Sequence, residues 1–188
     1  MSLIDRPSEL ASKEAALKRD PILSHPAFNE TESRLAIASH PVHAMMVAFP
    51  IAAAFGTLGA DLLYWWTGDE FWARAALWAI GSGFWLGLMA GLAGTVELLI
   101  VPGIRIRAAS WTHFILAMTL LSVLGLNWGL RLADPHAAVL PWGVLLSGLG
   151  AVMTGLTGWH GGKLVFDYQI GTLRPSRDTE DTVGKVSD

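Results

Sequence analysis

Hydrophobic and polar positions along this chain are segregated into blocks. Charged and polar residues crowd into 1–40 and 163–188, and the stretch between them is apolar with very few charges. A bilayer core of about 30 Å needs roughly 20 apolar residues in a helix. Four runs meet that length and predict membrane spans over about 41–66, 71–101, 108–131 and 138–166. The connections are short, which forces antiparallel neighbours. The expected architecture is all-α: a four-helix transmembrane bundle, up-down-up-down. Residues 1–38 read as a polar segment with short helices, one over 8–17 between Pro7-Ser8 and Pro21. A second short piece, 32–39, leads into the first span. Residues 39–168 form the transmembrane domain, and 169–188 a disordered polar tail.

Composition agrees with the pattern. Hydrophobic residues make up 52% and charged residues 15%, against about 25% charged in a soluble domain. Residues 1–40 lack the apolar core of a signal peptide, so the first span is expected to act as an uncleaved insertion signal. Lysine and arginine counts near the span ends set the orientation. Arg105 and Arg107 fall between spans two and three, and most other basic residues lie before span one or after span four. The other two connections offer Arg74 and Arg131. Both ends of the chain are therefore expected in the cytoplasm (N-in, C-in), in a bacterial inner membrane. Trp65, Trp66, Trp72, Trp128 and Trp142 near the outer ends and Trp111 and Trp159 near the inner ends match interfacial belts. The net charge of −3 gives no basic patch for nucleic acid. The absence of cysteine excludes disulfides, thiolate-bound iron–sulfur clusters and covalent c-type haem.

Small residues stripe three spans: Gly83, Gly87, Ala90, Gly91 and Gly94 on span two, Gly148, Ala151, Gly155 and Gly158 on span four, Ala52, Gly56, Gly59 and Ala60 on span one. Close helix packing accounts for most of them; room for a flat cofactor is the functional alternative.

The chemistry sits in the ionisable residues. His25 and His136 fall in polar segments and read as solvated. His40 and His43 open span one, His113 opens span three, and His160 lies near the end of span four. In an up-down bundle all four share the cytoplasmic end, joined by Glu97 on the small-residue face of span two. Intramembrane ionisable residues default to function. The leading expectation is a non-covalent b-type haem held by a histidine pair, His43 with His113 or His160, with His40 supporting it or serving a second group. Its propionates would reach water, Arg105 or Arg107. A non-haem metal ion on His43, His113, His160 and Glu97 is the alternative, and a structural or proton-handling cluster the third reading. No catalytic residue is identified; the chain reads as an electron-transfer or accessory subunit rather than a stand-alone enzyme. An outer polar cluster of Asp61, Asn127 and Arg131, with Tyr64 at similar depth, reads as an ion pair closing the bundle, or else a quinone or proton site. Pro50 is expected to kink span one.

The segment His40-Pro41-Val42-His43, then Phe49-Pro50 and Asp61, Gly91 through Glu97, His113 after the two-arginine loop, and Trp159-His160-Gly161-Gly162-Lys163-Leu164-Val165-Phe166 together resemble the bacterial membrane family catalogued as domain of unknown function 2231. The resemblance spans roughly residues 38–172 and implies a four-helix integral membrane domain. It carries His40, His43, Asp61, His113 and the Gly161-Gly162 turn, and puts His43 with His113 ahead of His160 as the pair. Members that look fused to Rieske-type domains imply redox work. This chain lacks the cysteines of a Rieske centre, so the implied redox partner is a separate protein. The other expected partners are the lipid bilayer and a quinone, with a homo-oligomer left open.

Overall fold

Each apolar block becomes one helix. The structure, a computed structural model, describes residues 25–38 and 40–170. Its long helices are α1 (Val42–Thr67), α2 (Glu70–Ile100), α3 (Ala108–Arg131) and α4 (Val139–Phe166), each long and apolar enough to cross a membrane. The bounds agree with the expected spans to within a residue or two because the punctuation is strong. Gly68, in the left-handed conformation at φ 69°, ends α1. Asp69 caps α2 by accepting from the Phe71 amide at 2.9 Å. Pro102 ends α2 by holding Val101 extended, and a single turn, Pro102–Arg105, leads to α3. The helix 8–17 and the tail beyond 170 lie outside the described residues.

Two irregularities follow from proline. Pro50 has no N–H to offer the Met46 carbonyl, and α1 is interrupted there, between Val42–Met46 and Ala48–Thr67. Pro141 keeps Leu140 out of the helical region, so α4 opens with a wide turn over Val139–Gly143.

The helices pack in a ring: α1 on α2, α2 on α3, α3 on α4, and α4 back on α1. This is the up-down-up-down order that short connections require. Its interior is unusually polar for its surface. Thr57, Asp61, Asn127, Arg131, Ser147 and Thr154 are buried, while Phe49, Trp66, Trp78, Leu92 and Val152 face outward. That inversion suits a hydrocarbon solvent, where apolar side chains gain little by turning inward.

The glycines divide by face. A Cβ at Gly83 would stand 2.9 Å from the Ala53 Cβ, and one at Gly87 2.8 Å from Leu121, so α1 and α3 close onto α2 there. Gly56, Gly59, Gly148, Gly155 and Gly158 have nothing within 4 Å. The expected packing stripes of spans one and four are corrected accordingly. The buried faces run through Ala54, Thr57, Ala60 and Asp61 on α1, and through Ser147, Gly150, Ala151, Thr154 and Thr157 on α4. Small size permits close approach but does not choose the side; the buried polar residues do.

Residues 25–38 and 40–41 cover one end of the ring, the near end. A 3-10 turn, Pro26–Asn29, is followed by a two-stranded hairpin of β1 (Ala36–Ile37) and β2 (His40–Pro41), with Ala36 opposite Pro41 and Ile37 opposite His40. The Gly103 amide donates to the Glu30 carbonyl at 3.1 Å. That approach is close enough that only glycine fits at 103. Arg107 donates to the carbonyls of Phe28 at 3.0 Å and Gly103 at 2.8 Å and lies 3.9 Å over the Phe28 ring. Its pKa is lowered from the usual arginine value, mainly by burial.

Candidate functional site

His43 lies in the first turn of α1. Its Nδ1 is 2.8 Å from the Ala90 carbonyl oxygen of α2. A carbonyl only accepts, so Nδ1 carries a proton and Nε2 is the nitrogen left for another partner. The ring can reach that carbonyl because residue 94, one turn on, has no side chain: a Cβ at Gly94 would stand 2.8 Å from Nδ1. His113, in the second turn of α3, rests in the same way on α4, where a Cβ at Gly161 would stand 3.1 Å from its Cε1. The two imidazole centres are 6.4 Å apart, with ring planes at 87°. His43 and His113 come from spans at opposite corners of the ring, and α2 and α4 supply a glycine seat each.

Unsatisfied polar atoms gather at this level. Among the described residues, buried side-chain atoms without a hydrogen-bond partner include Nδ1 of His113, Oγ1 of Thr157 and Oγ of Ser110. Ser110 is one turn before His113, and Thr157 is on α4, whose backbone there lies beside the His113 ring. Buried polar groups are ordinarily paired, and the Thr157 backbone carbonyl stands within hydrogen-bonding reach of the His113 ring.

The remaining expected ligands lie apart from the pair. His160 is half-buried on α4, within electrostatic reach of His113, and its Nδ1 is 3.2 Å from the Leu156 carbonyl of its own helix. His40 is exposed in β2, its Nδ1 2.7 Å from the Ala38 carbonyl. Glu97 is buried at 7% exposure but points to the near-end cover, accepting from the Ser33 hydroxyl and from the Leu35 amide at 3.4 Å. Among the described residues, no three of the His, Asp and Glu side chains stand close enough to share a metal ion. Arg107 is committed to the cover, whereas Arg105 is exposed and makes one long contact, 3.4 Å, to the Leu99 carbonyl.

The far end holds the second cluster. Arg131 grips Asp61 with two parallel bonds, Nη1 to Oδ1 at 2.8 Å and Nη2 to Oδ2 at 2.7 Å. Its Nε donates to Asn127 Oδ1 at 2.9 Å. Asn127 Nδ2 donates to Ser147 Oγ at 2.9 Å, and Ser147 donates to Asp61 Oδ2 at 2.6 Å. Asp61, Asn127 and Arg131 are each 0% exposed. Every side-chain polar heavy atom of the four residues has a partner inside the network, which joins α1, α3 and α4 and leaves no atom facing a ligand.

Sequence reasoning missed Ser147, Ser33 and the seating role of Gly94 and Gly161. Ser147 had a signal, the helical spacing of Ser147, Thr154 and Thr157 on one face of an apolar span. Ser33 had none, since it lies in an aperiodic polar segment.

A family model described as predicted membrane protein (DUF2231) matches residues 39–174, the whole membrane part of the chain. No curated protein and no solved structure matches.

Proposed function

We propose that this chain, which belongs to the DUF2231 family of membrane proteins, is an electron-transfer subunit of a bacterial inner membrane holding a b-type haem between His43 and His113. The carrying observation is the 6.4 Å separation of two imidazole centres from opposite corners of the bundle. Imidazoles on the two faces of one iron stand roughly 6 Å apart, from metal–nitrogen bonds of about 2 Å and roughly 1 Å from each nitrogen to its ring centre. Further support comes from the Ala90 carbonyl on His43 Nδ1, the kind of orienting contact that metal-binding histidines usually make. The glycine seats of the two rings add to it. Without cysteine the group would be non-covalent. Held by two histidines, it would supply one-electron chemistry rather than oxygen activation.

In this reading His43 and His113 hold the group, Ala90 fixes the tautomer of His43, and the Ser33–Glu97 contact keeps the N-terminal segment over the site. The arginine and lysine bias supports a site near the cytoplasmic face, within reach of a separate redox protein. The test is a visible spectrum of the full chain purified in detergent from cells supplied with haem. A Soret band that shifts on reduction is expected in the wild type, in His40→Ala and in His160→Ala. It is expected to vanish in His43→Ala and His113→Ala. A colourless wild-type protein with full helical content overturns the proposal, and metal analysis then decides on a non-haem ion.

A further inference from the structure

One face of α2 presents three features to the N-terminal part of the chain. Ala90 offers its carbonyl to His43 Nδ1 at 2.8 Å, Gly94 lies bare beside the His43 ring, and Glu97 accepts from the Ser33 hydroxyl and the Leu35 amide. Steps of four and three residues put them on one side of the helix. Ala90 and Glu97 are two turns, about 10 Å, apart. The chain between the two contacts is tied to itself. The Leu35 carbonyl accepts from the Val42 amide at 2.9 Å. Ala36 faces Pro41 and Ile37 faces His40 across the hairpin. His43 follows one residue after Val42. Ser33, Leu35 and the hairpin thus form a strap, with Glu97 holding one end and His43 at the other.

The rest of α1 does little to aim the His43 ring. Its first stretch, Val42–Met46, stops short of Pro50, which has no N–H for the Met46 carbonyl. That stretch packs chiefly against α2 rather than against the remainder of its own span. A ring on a loosened turn keeps its direction only if the strap does. We infer that Glu97 is a positioning residue for His43: by anchoring the strap to α2, it holds the first turn of α1 where the ring meets the Ala90 carbonyl. Both bonds to Glu97 end on a single oxygen, Oε1. The anchor therefore needs an acceptor and not a charge, and the amide of glutamine serves as well. Arg107, by contrast, secures the other part of the cover, through the Phe28 carbonyl and ring. The use of a fixed His43 for haem rests on the electron-transfer reading above; the positioning itself does not.

The test is nitrogen-15 NMR of the full chain, labelled at histidine, haem-free and in phospholipid nanodiscs. It is run at about pH 8, above the ordinary histidine pKa of about 6.5. His43→Ala identifies the His43 signals. Ring nitrogens with and without a proton resonate far apart, so the tautomer is read directly. Wild type should show His43 with its proton on Nδ1 alone. Glu97→Ala should mix the two tautomers with helicity unchanged, and Ser33→Ala, a change confined to the cover, should do so in part. Glu97→Gln should restore the wild-type signals. Arg107→Ala should leave them in place, although it frees the Pro26–Asn29 turn. A His43 ring indifferent to Glu97→Ala and Ser33→Ala overturns the inference. So does a glutamine variant as mixed as the alanine one, or an Arg107→Ala protein that moves His43 as far, since the cover as a whole is then what matters. In haem-supplied cells, Glu97→Ala should lower haem affinity about ten-fold, the lower end for orienting partners of a metal-binding histidine, with Glu97→Gln unaffected. A colourless wild type whose His43 tautomer still follows Glu97 refutes the haem reading alone. A haem-loaded wild type whose His43 ignores Glu97 refutes this inference alone.

Discussion

Replacing Asp61 with alanine strips Arg131 of its counter-ion while the guanidinium stays sealed in the bundle. Both side chains are fully buried, and two bonds of 2.7–2.8 Å are lost at once. Breaking a buried pair from one side costs about 3–5 kcal/mol, because the surviving charge has nowhere to go. Two features pull the figure to the lower end. Asn127 and Ser147 still accept from Arg131, and helices unfolded within a membrane find other partners for their polar groups. The expected loss is therefore about 3 kcal/mol for Asp61→Ala, and about the same for Arg131→Met, which leaves the carboxylate with Ser147 alone. The double variant removes both charges and should cost only about 1–2 kcal/mol, giving a coupling of about 4 kcal/mol. The assay is reversible unfolding in mixed micelles titrated with a denaturing detergent, followed by circular dichroism. Single losses that simply add in the double variant refute the reasoning, since they show that the two charges do not depend on each other.

Other consequences follow from single contacts. Gly94→Ala drives a methyl to within 2.8 Å of His43 Nδ1; it should abolish the Soret band that the proposed haem would give, while circular dichroism reports intact helices. Gly56→Ala, with open space around it, should shift the unfolding midpoint by no more than the equivalent of about 0.5 kcal/mol. Glu97→Ala removes the acceptor for Ser33 and Leu35; limited proteolysis within 25–38 should accelerate several-fold, with Glu97→Gln milder because it keeps an acceptor oxygen. Asp134 is exposed, and its carboxyl is held below the usual range by the Ala137 and His136 amides that it accepts from. A depressed carboxyl stabilises its turn above its unfolded pKa of about 3.9 and loses that effect as pH falls through the lower folded value. The His136 and Ala137 amides should therefore become less protected from hydrogen exchange in that acid window, and Asp134→Asn should erase the pH dependence.

The spans could be read from the sequence because a bilayer applies one blunt rule over twenty residues, and Gly68, Asp69 and Pro102 mark their ends locally. Asp61 and Arg131 were also readable as a pair, since charges in hydrocarbon must meet and the topology sets them at one depth. The inward face of α2 followed from stepping back from Glu97 through Ala90, Gly87 and Gly83, all buried. The same procedure misjudged α1 and α4, where glycines lie on both sides of the helix and only the buried hydroxyls and Asp61 identify the inner one. Glu97 was placed inward but grouped with the histidines, because nothing in the pattern of 25–38 shows that Ser33 and Leu35 fold back over it. His43 and His113 were named together through the family resemblance; what seats their rings, the Ala90 carbonyl and two missing Cβ atoms, is backbone geometry that one-letter patterns do not display.

Asp61 and Arg131 are separated by 70 residues of chain, which bears on how the protein is made. When α1 leaves the insertion machinery, α3 has not yet been synthesised, so Asp61 enters the membrane without its partner. A lone charge there resists insertion by up to about 3 kcal/mol, and the apolar remainder of α1 must carry it in. Only the arrival of α3 neutralises it, and α4 then adds Ser147. The network therefore works as a one-way latch on assembly: helices enter singly, lock when the third arrives, and cannot separate again without returning two charges to lipid. A chain stalled after α2 should remain loose in the membrane and open to quality-control proteases.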